Sequence, residues 1–211
     1  DPARPYADEV GADVAALRIG IRTAPPGRQY ETHPDCVEAA ESAAKLLESL
    51  GHSVEEATID AFDDPSVVES FLIRWLAGTA WSLDYWSRKT GAEITQSDVE
   101  PLTWALAEQG RTFTAAQLYA AMEQHQRVGR AVGEWYAGGY DVLVTPSTAE
   151  PATQLGEYEG PEDQPLHGIV RATPIAAFTA AANMTGQPSI SLPLHMSADG
   201  VPVGVLLTAA V

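Results

Sequence analysis

The chain has 211 residues, enough for one large domain or a part of a larger one, and 45 % of them are hydrophobic, an ordinary share for a globular protein. Its 29 acidic residues against 12 basic ones leave a net charge of −17, which would repel a phosphate backbone and argues against nucleic-acid binding. No stretch approaches the roughly 18 consecutive apolar residues of a membrane span. The single cysteine, Cys36, rules out an internal disulfide and fits a reducing, cytoplasmic setting.

The opening DPARPYADEV reads as a loop. Leu17–Thr23 (LRIGIRT) then alternates apolar with small or basic residues, a strand pattern, before APPG breaks the chain. A helix is expected next, with Thr32 or His33 as its cap, Pro34 in its first turn and Gly51 at its end. Val37, Ala40, Ala44, Leu47 and Leu50 fall on one face of it at helical spacing. Ser53–Ile59 reads as a second strand, so the two strands and their helix form a βαβ unit with a parallel pair.

A long helix follows, capped by Asp64, opened by Pro65, carrying Arg88 and Lys89 in its last turn and stopped by Gly91. Its stripe of Trp75, Leu76, Thr79, Leu83 and Trp86 is expected to be core. Ser97 and Glu100 have the spacing of a capping box for a shorter helix, and Thr114 and Gln117 repeat it before a helix reaching about Tyr136. YDVLVTPS is a buried strand ending in a proline turn. Thr148–Arg171, rich in Pro, Gly and acids, is loop with one short helix. Thr173–Gly186 reads as a helix, and SISLPLH, the turn SADG and VPVGVLLTAA form a terminal β-hairpin around Asp199–Gly200. Residues 1–211 are therefore expected to be a single α/β unit without a domain boundary.

Chemistry is harder to find. The five histidines stand at no metal-ligand spacing, so neither a metal nor a cofactor is expected. There is no G-x-S-x-G nucleophile elbow and no glycine-rich dinucleotide loop. Glu55–Glu56 and Asp63–Asp64 read as solvated faces or caps. Cys36 opens a helix, where the dipole could lower its pKa, but a small buried helix residue is the simpler reading. The N-M-T triplet at Asn183 matches a glycosylation acceptor by chance.

Longer stretches carry more. LRIGIRTAPPGRQYETHPDCVEAAESAAKLLESLGHSVEEA, YDVLVTPSTAEPATQLGEY, FTAAANMTGQPSISLPLH and SADGVPVGVLL together resemble the amidase signature family. EPLTWALAEQGRTFTAAQLYAAMEQHQR and the PLH before the hairpin are most similar to the branch of that family containing 6-aminohexanoate-cyclic-dimer hydrolase. The resemblance implies a mixed-sheet fold with helices covering the sheet. It also implies amide hydrolysis by a serine nucleophile, relayed through a second serine in a cis peptide to a lysine, with backbone N–H groups holding the oxyanion. Those residues belong to a Gly/Ser-rich signature segment, and no such run occurs here. Lys45 sits in an ordinary helix and Lys89 at a helix end, so no catalytic residue carries over.

The chain is thus expected to be the C-terminal portion of an amidase-like domain. It would be inactive alone and supply scaffold and part of the pocket for a small amide substrate. Thr145, Phe178 and Asn183 are the residues the resemblance places near that pocket. Each has a plain structural alternative: Thr145 as a residue held extended by Pro146, Phe178 as core, Asn183 as a helix-end group bonding local backbone. A stand-alone binding or assembly module retaining half of such a fold would fit the same residues. In either case uncovered edges and faces predict self-association or a missing N-terminal half as partner.

Overall fold

The computed structural model describes residues 4–28, 30–161 and 163–210. Asp1–Ala3 of the expected opening loop and Val211 lie outside the described residues. Strand β1 (Arg18–Ile21), helix α1 (Pro34–Ser49) and strand β2 (Ser53–Glu56) form the expected βαβ unit. The pair is parallel, with Ile19 opposite Val54 and Ile21 opposite Glu56. β2 is shorter than the sequence suggests: the Ala57 N–H still donates to the Ile21 carbonyl at 3.1 Å, but beyond it the chain leaves the sheet, with Ile59 buried in the core. His33 caps α1: its Nδ1 accepts from the Asp35 N–H at 3.2 Å, while Thr32 donates to the Thr23 carbonyl.

Helix α2 (Ser66–Thr90) begins where Asp64 Oδ1 accepts from the Ser66 N–H at 2.9 Å. It ends at Gly91, whose φ of 72° closes the C-terminus in the left-handed region that a side chain would disfavour. The expected Ser97–Glu100 capping box is not made. Thr95 and Asp98 make one instead, two positions earlier, around a single 3-10 turn, and helix α3 (Pro101–Arg111) starts afresh at its proline. Helix α4 (Ala115–Ala137) does carry its box, Thr114 N–H donating to Gln117 Oε1 at 2.9 Å. After strand β3 (Val142–Pro146) comes a long connection containing helix α5 (His167–Arg171). Arg171 staples it by ion pairs to Glu150 and Glu157.

The expected Thr173–Gly186 helix is broken into α6 (Thr173–Ala176) and α7 (Thr179–Thr185). The Pro174 carbonyl, the helical acceptor for the Phe178 amide, accepts from the Ala149 N–H at 2.9 Å. The chain ends in the predicted hairpin of β4 (Ser189–Met196) and β5 (Pro202–Ala209), with a register shift between Leu192 and His195 that brackets Pro193.

The sheet runs β2-β1-β3-β5-β4, with β1 parallel to β2 and β3, and β5 antiparallel to β3 and β4. On one face α1 lays Cys36, Ala39 and Ala43 against Ile19, Val144, Val203 and Val205. Ala40 and Ala44 of the expected stripe are buried and Leu47 packs beside the cluster, whereas Leu50 is 65 % exposed; Cys36, Ala39 and Ala43 widen the buried face, and their small side chains let the helix approach the sheet closely. On the other face α4 and the turn carrying Phe62 pack Val128, Val132 and Tyr136 over Leu143. Tyr136 also donates to the Thr208 carbonyl at 2.8 Å.

Helices α2 and α3 form an outer layer against α4. Their contact buries Leu76 and Leu83 of the expected stripe together with Ala80, but not its tryptophans: Trp75 is 37 % and Trp86 55 % exposed. The mixed sheet with helices on both faces is the predicted α/β class.

Candidate functional site

The face of the sheet away from α1 carries the candidate residues. Gly20 and Arg22 of the β1 segment, Leu143 and Thr145 of β3, and Leu206 and Thr208 of β5 all point this way by strand alternation. Helix α7 crosses above them and brings Phe178 from its N-terminal junction. A narrow cavity of ≈ 20 Å³ results, bounded by Arg22, Thr145, Phe178, Gln187 and Thr208 among others. Thr145 and Phe178 therefore line the same cavity. Phe178 is 4 % exposed and packs with Ala149 and Ala177. The Thr145 hydroxyl donates to the Pro146 carbonyl at 2.9 Å. Asn183 does not join them. It lies exposed on α7, beside a separate surface depression with Thr179, Gly186 and Ser189.

Sharing Pro26, Phe62 and Ala181 with that cavity is a groove of ≈ 340 Å³ between α2 and the α5–α7 segment. Its walls are almost wholly apolar: Val67, Phe71, Leu72, Trp75, Ile169 and Met184 are the large ones. A groove of this size and polarity takes a hydrocarbon chain or ring, with polar specificity supplied at its ends.

Sequence reasoning missed Arg22. It is 3 % exposed, and its guanidinium is held on three sides. Nε donates to the Ala24 carbonyl at 2.7 Å, and Nη2 donates to Asp63 Oδ1 at 2.5 Å and to the Pro25 carbonyl at 3.2 Å. Asp63, read from sequence as a cap or solvated group, is the buried arginine's counter-ion, while its neighbour Asp64 is the helix cap. Burial pushes the Asp63 carboxyl upward, but the Arg22 hydrogen bond and charge outweigh it, helped by the Gly27 N–H and Arg28. The carboxyl is held below the ordinary aspartate range. Nη1 of Arg22 has no partner among the described residues. Leaving a buried donor unsatisfied costs about 1–3 kcal/mol, more for a charged group. The one signal in the sequence was a basic residue prolonging an apolar strand into a Pro-Pro-Gly break.

The rest of this face holds hydroxyls without a base. Ser147 and Ser191 share a hydrogen bond at 2.6 Å, and Ser189 and Thr208 one at 2.9 Å. Among the described residues no lysine hydrogen-bonds a serine, and Lys45 and Lys89 are both exposed. Burial pushes the Cys36 thiol up to about 11 against a weaker lowering by Thr148, so it is an inert packing residue. No group of three or more His, Cys, Asp or Glu among the described residues could hold a metal ion, and no helix among them is long and apolar enough to cross a membrane.

Comparison with known proteins places this arrangement. The chain is 31 % identical over 216 residues to 6-aminohexanoate-cyclic-dimer hydrolase of Pseudomonas sp. (strain NK87), covering 99 % of this chain and 43 % of that protein. It is 30 % identical, with the same shares covered, to the protein of that name from Paenarthrobacter ureafaciens. The solved structure of 6-aminohexanoate cyclic dimer hydrolase complexed with substrate superposes on all of this chain with a TM-score of 0.90 and 30 % identity, over 45 % of its own length. A bacterial aryl acylamidase of the amidase signature enzymes shares the fold, with a TM-score of 0.72 at 18 % identity. The chain thus spans under half the length of the relatives it matches. The sequence model of the Amidase family matches residues 1–211 throughout, and the chain belongs to the amidase family.

Proposed function

We propose that this chain is the scaffold and one pocket wall of an amide hydrolase whose bond-breaking residues lie in the part of the fold that the chain does not span. The observation that carries the reading is a conjunction. The whole chain matches amidases over 43 % of their length, and it presents an apolar groove beside Thr145 and Phe178, yet no serine–lysine pair occurs among its described residues. The substrate is a small amide with a hydrocarbon portion, in line with the cyclic amide named for the relatives. Thr145 and Phe178 shape the narrow end of the pocket, while Asn183 lines a neighbouring depression on the surface of α7. The setting is cytoplasmic, in keeping with one cysteine kept as a buried thiol.

The expected result is that the purified 211-residue chain releases no amine from 6-aminohexanoate cyclic dimer or hexanamide. A protein joining this chain to the remaining portion of the amidase fold does release it, and there Phe178→Asp lowers kcat/KM by at least about ten-fold by placing a charge in an apolar wall. Turnover by the chain alone, abolished by a serine-directed inhibitor, would overturn the reading.

A further inference from the structure

One residue lining the narrow cavity keeps an unspent polar valence. Gln187 donates to the Ala209 carbonyl and accepts from Thr185, Thr208 bonds Ser189, and Thr145 donates to Pro146. Arg22 alone keeps a donor nitrogen, Nη1, without a partner among the described residues, although the residue is 97 % buried, being 3 % exposed. We propose that Arg22 is a ligand-anchoring residue whose Nη1 donates to a neutral carbonyl oxygen, the hydrocarbon part of the same ligand lying in the adjoining groove. The inference rests on the reading of this face as an amidase pocket wall and names the ligand chemistry the wall selects.

Charge decides which acceptor fits. Asp63 already neutralises the guanidinium through the 2.5 Å contact. A carboxylate at Nη1 would add a second anion to a buried guanidinium whose charge Asp63 already balances, at a desolvation cost the site does not return. A neutral amide or ketone oxygen takes the donor without adding charge. Size agrees: about 20 Å³ admits roughly one oxygen-sized probe, not a branched group. The groove beyond, at about 340 Å³, takes a short unbranched chain or a medium ring. The anchored carbonyl is held and not cleaved, since no nucleophile–base pair stands beside Arg22 among the described residues. A ligand that carries only donors offers Nη1 no lone pair to bond, so alkyl ammonium ions are excluded by the same geometry.

The test is binding to the intact chain, read by the nitrogen signals of the arginine side chains. Hexanamide, hexanoate and hexylammonium share a chain length and differ in carrying a neutral acceptor, an anionic acceptor or donors only. Hexanamide is expected to shift the Arg22 Nη signal and to bind about ten-fold more tightly than either of the others, the scale of one hydrogen bond to a charged donor. Arg22→Lys, which keeps a cation for Asp63 but has no Nη1, should lose that preference. Ala176→Phe, which narrows the groove, should weaken all three ligands alike.

If Arg22→Lys does not fold, the three-ligand comparison on the unaltered chain still decides. An unmoved Arg22 signal, or hexanoate binding as well as hexanamide, overturns the proposal and leaves Arg22 a structural ion-pair member. Turnover plays no part in the readout. An amide-cleaving longer protein whose Arg22 stays silent therefore loses the anchor and keeps the hydrolase reading, while a carbonyl-selective chain whose longer form cleaves no amide does the reverse.

Discussion

Gly110 shows how one missing side chain sets the outer layer. A Cβ at this position of α3 would stand 2.0 Å from the Leu76 carbonyl oxygen of α2, well inside any contact real atoms make. The obstacle is helix backbone, which cannot swing away as a side-chain tip can, so the two helices must separate. Gly110→Ala is expected to destabilise the chain by about 2–3 kcal/mol or more, the upper range of overpacking costs. Gly78, in α2, meets nothing within 4 Å. There the same substitution should stabilise by up to about 1 kcal/mol, since alanine improves a helix interior. Urea midpoints of both variants check the contrast, and equal midpoints would refute it. Neither role was legible in the sequence. GxxG-free helices give no hint of which glycine meets a neighbour, because that depends on where α2 and α3 cross. Arg22 and Asp63 were hidden for the same reason. They are 41 residues apart, and nothing local marks them as partners. Thr145, Phe178 and Asn183 were singled out only through the family resemblance, because nothing local marks Thr145 and Phe178 as sharing a cavity or Asn183 as lying on the exposed side of α7.

At the scale of elements, local rules worked where the chain answers to itself. The caps at His33 and Thr114, the stop at Gly91 and the Ser197–Gly200 turn obey nearest-neighbour chemistry and appear as read. Rules failed where a second element competes. Ala149 takes the Pro174 carbonyl and breaks a helix that propensity alone would continue, and α2 buries Leu76, Ala80 and Leu83 while exposing Trp81 and Trp86. The α2–α4 contact has a pH consequence. His125 of α4 is 6 % exposed, and its Nδ1 lies 2.6 Å from Arg74 Nη1 of α2. Arginine can only donate, so Nδ1 must accept and the ring is neutral with its proton on Nε2. Burial, and then the Arg74 charge, hold the imidazole below its ordinary pKa despite a weaker opposing contribution from the Ser70 backbone. The unfolded chain therefore takes up the proton first as pH falls. The contact's contribution is full above about 6.5, the ordinary histidine value, and is lost progressively as pH drops below it toward the lower folded value. Urea unfolding from pH 8 to pH 5 should show stability falling, and His125→Phe should flatten that slope. A variant with an unchanged slope would remove His125 as its source.

At the scale of the whole molecule, the two sheet edges differ in a way that bears on what the chain does by itself. The β2 edge is four residues long and ends in Glu55 and Glu56, with Glu55 paired to Arg18 at 2.6 Å. Short and charged edges resist further strand pairing. The β4 edge is eight residues long and carries no acid or base except His195. It exposes Ile190 at 56 %, Leu194 at 42 % and Met196 at 56 %. Pro193 and the register shift around it are the protection this edge carries among the described residues, and the relatives the chain matches extend over more than twice its length. In the longer protein we propose that other parts of the amidase fold cover β4; in the 211-residue chain alone a second copy is the available partner. Sedimentation velocity should therefore show a concentration-dependent dimer. Ile190→Lys with Leu194→Lys should return it to monomer without changing its far-ultraviolet spectrum, since both side chains already face water. Two lysines also reduce the net charge of −17, so a general charge effect would favour association and act in the opposite direction. A monomeric unaltered chain would mean that the β4 edge is protected by means other than pairing, and a dimer indifferent to both lysines would move the contact to the aromatic face of α2.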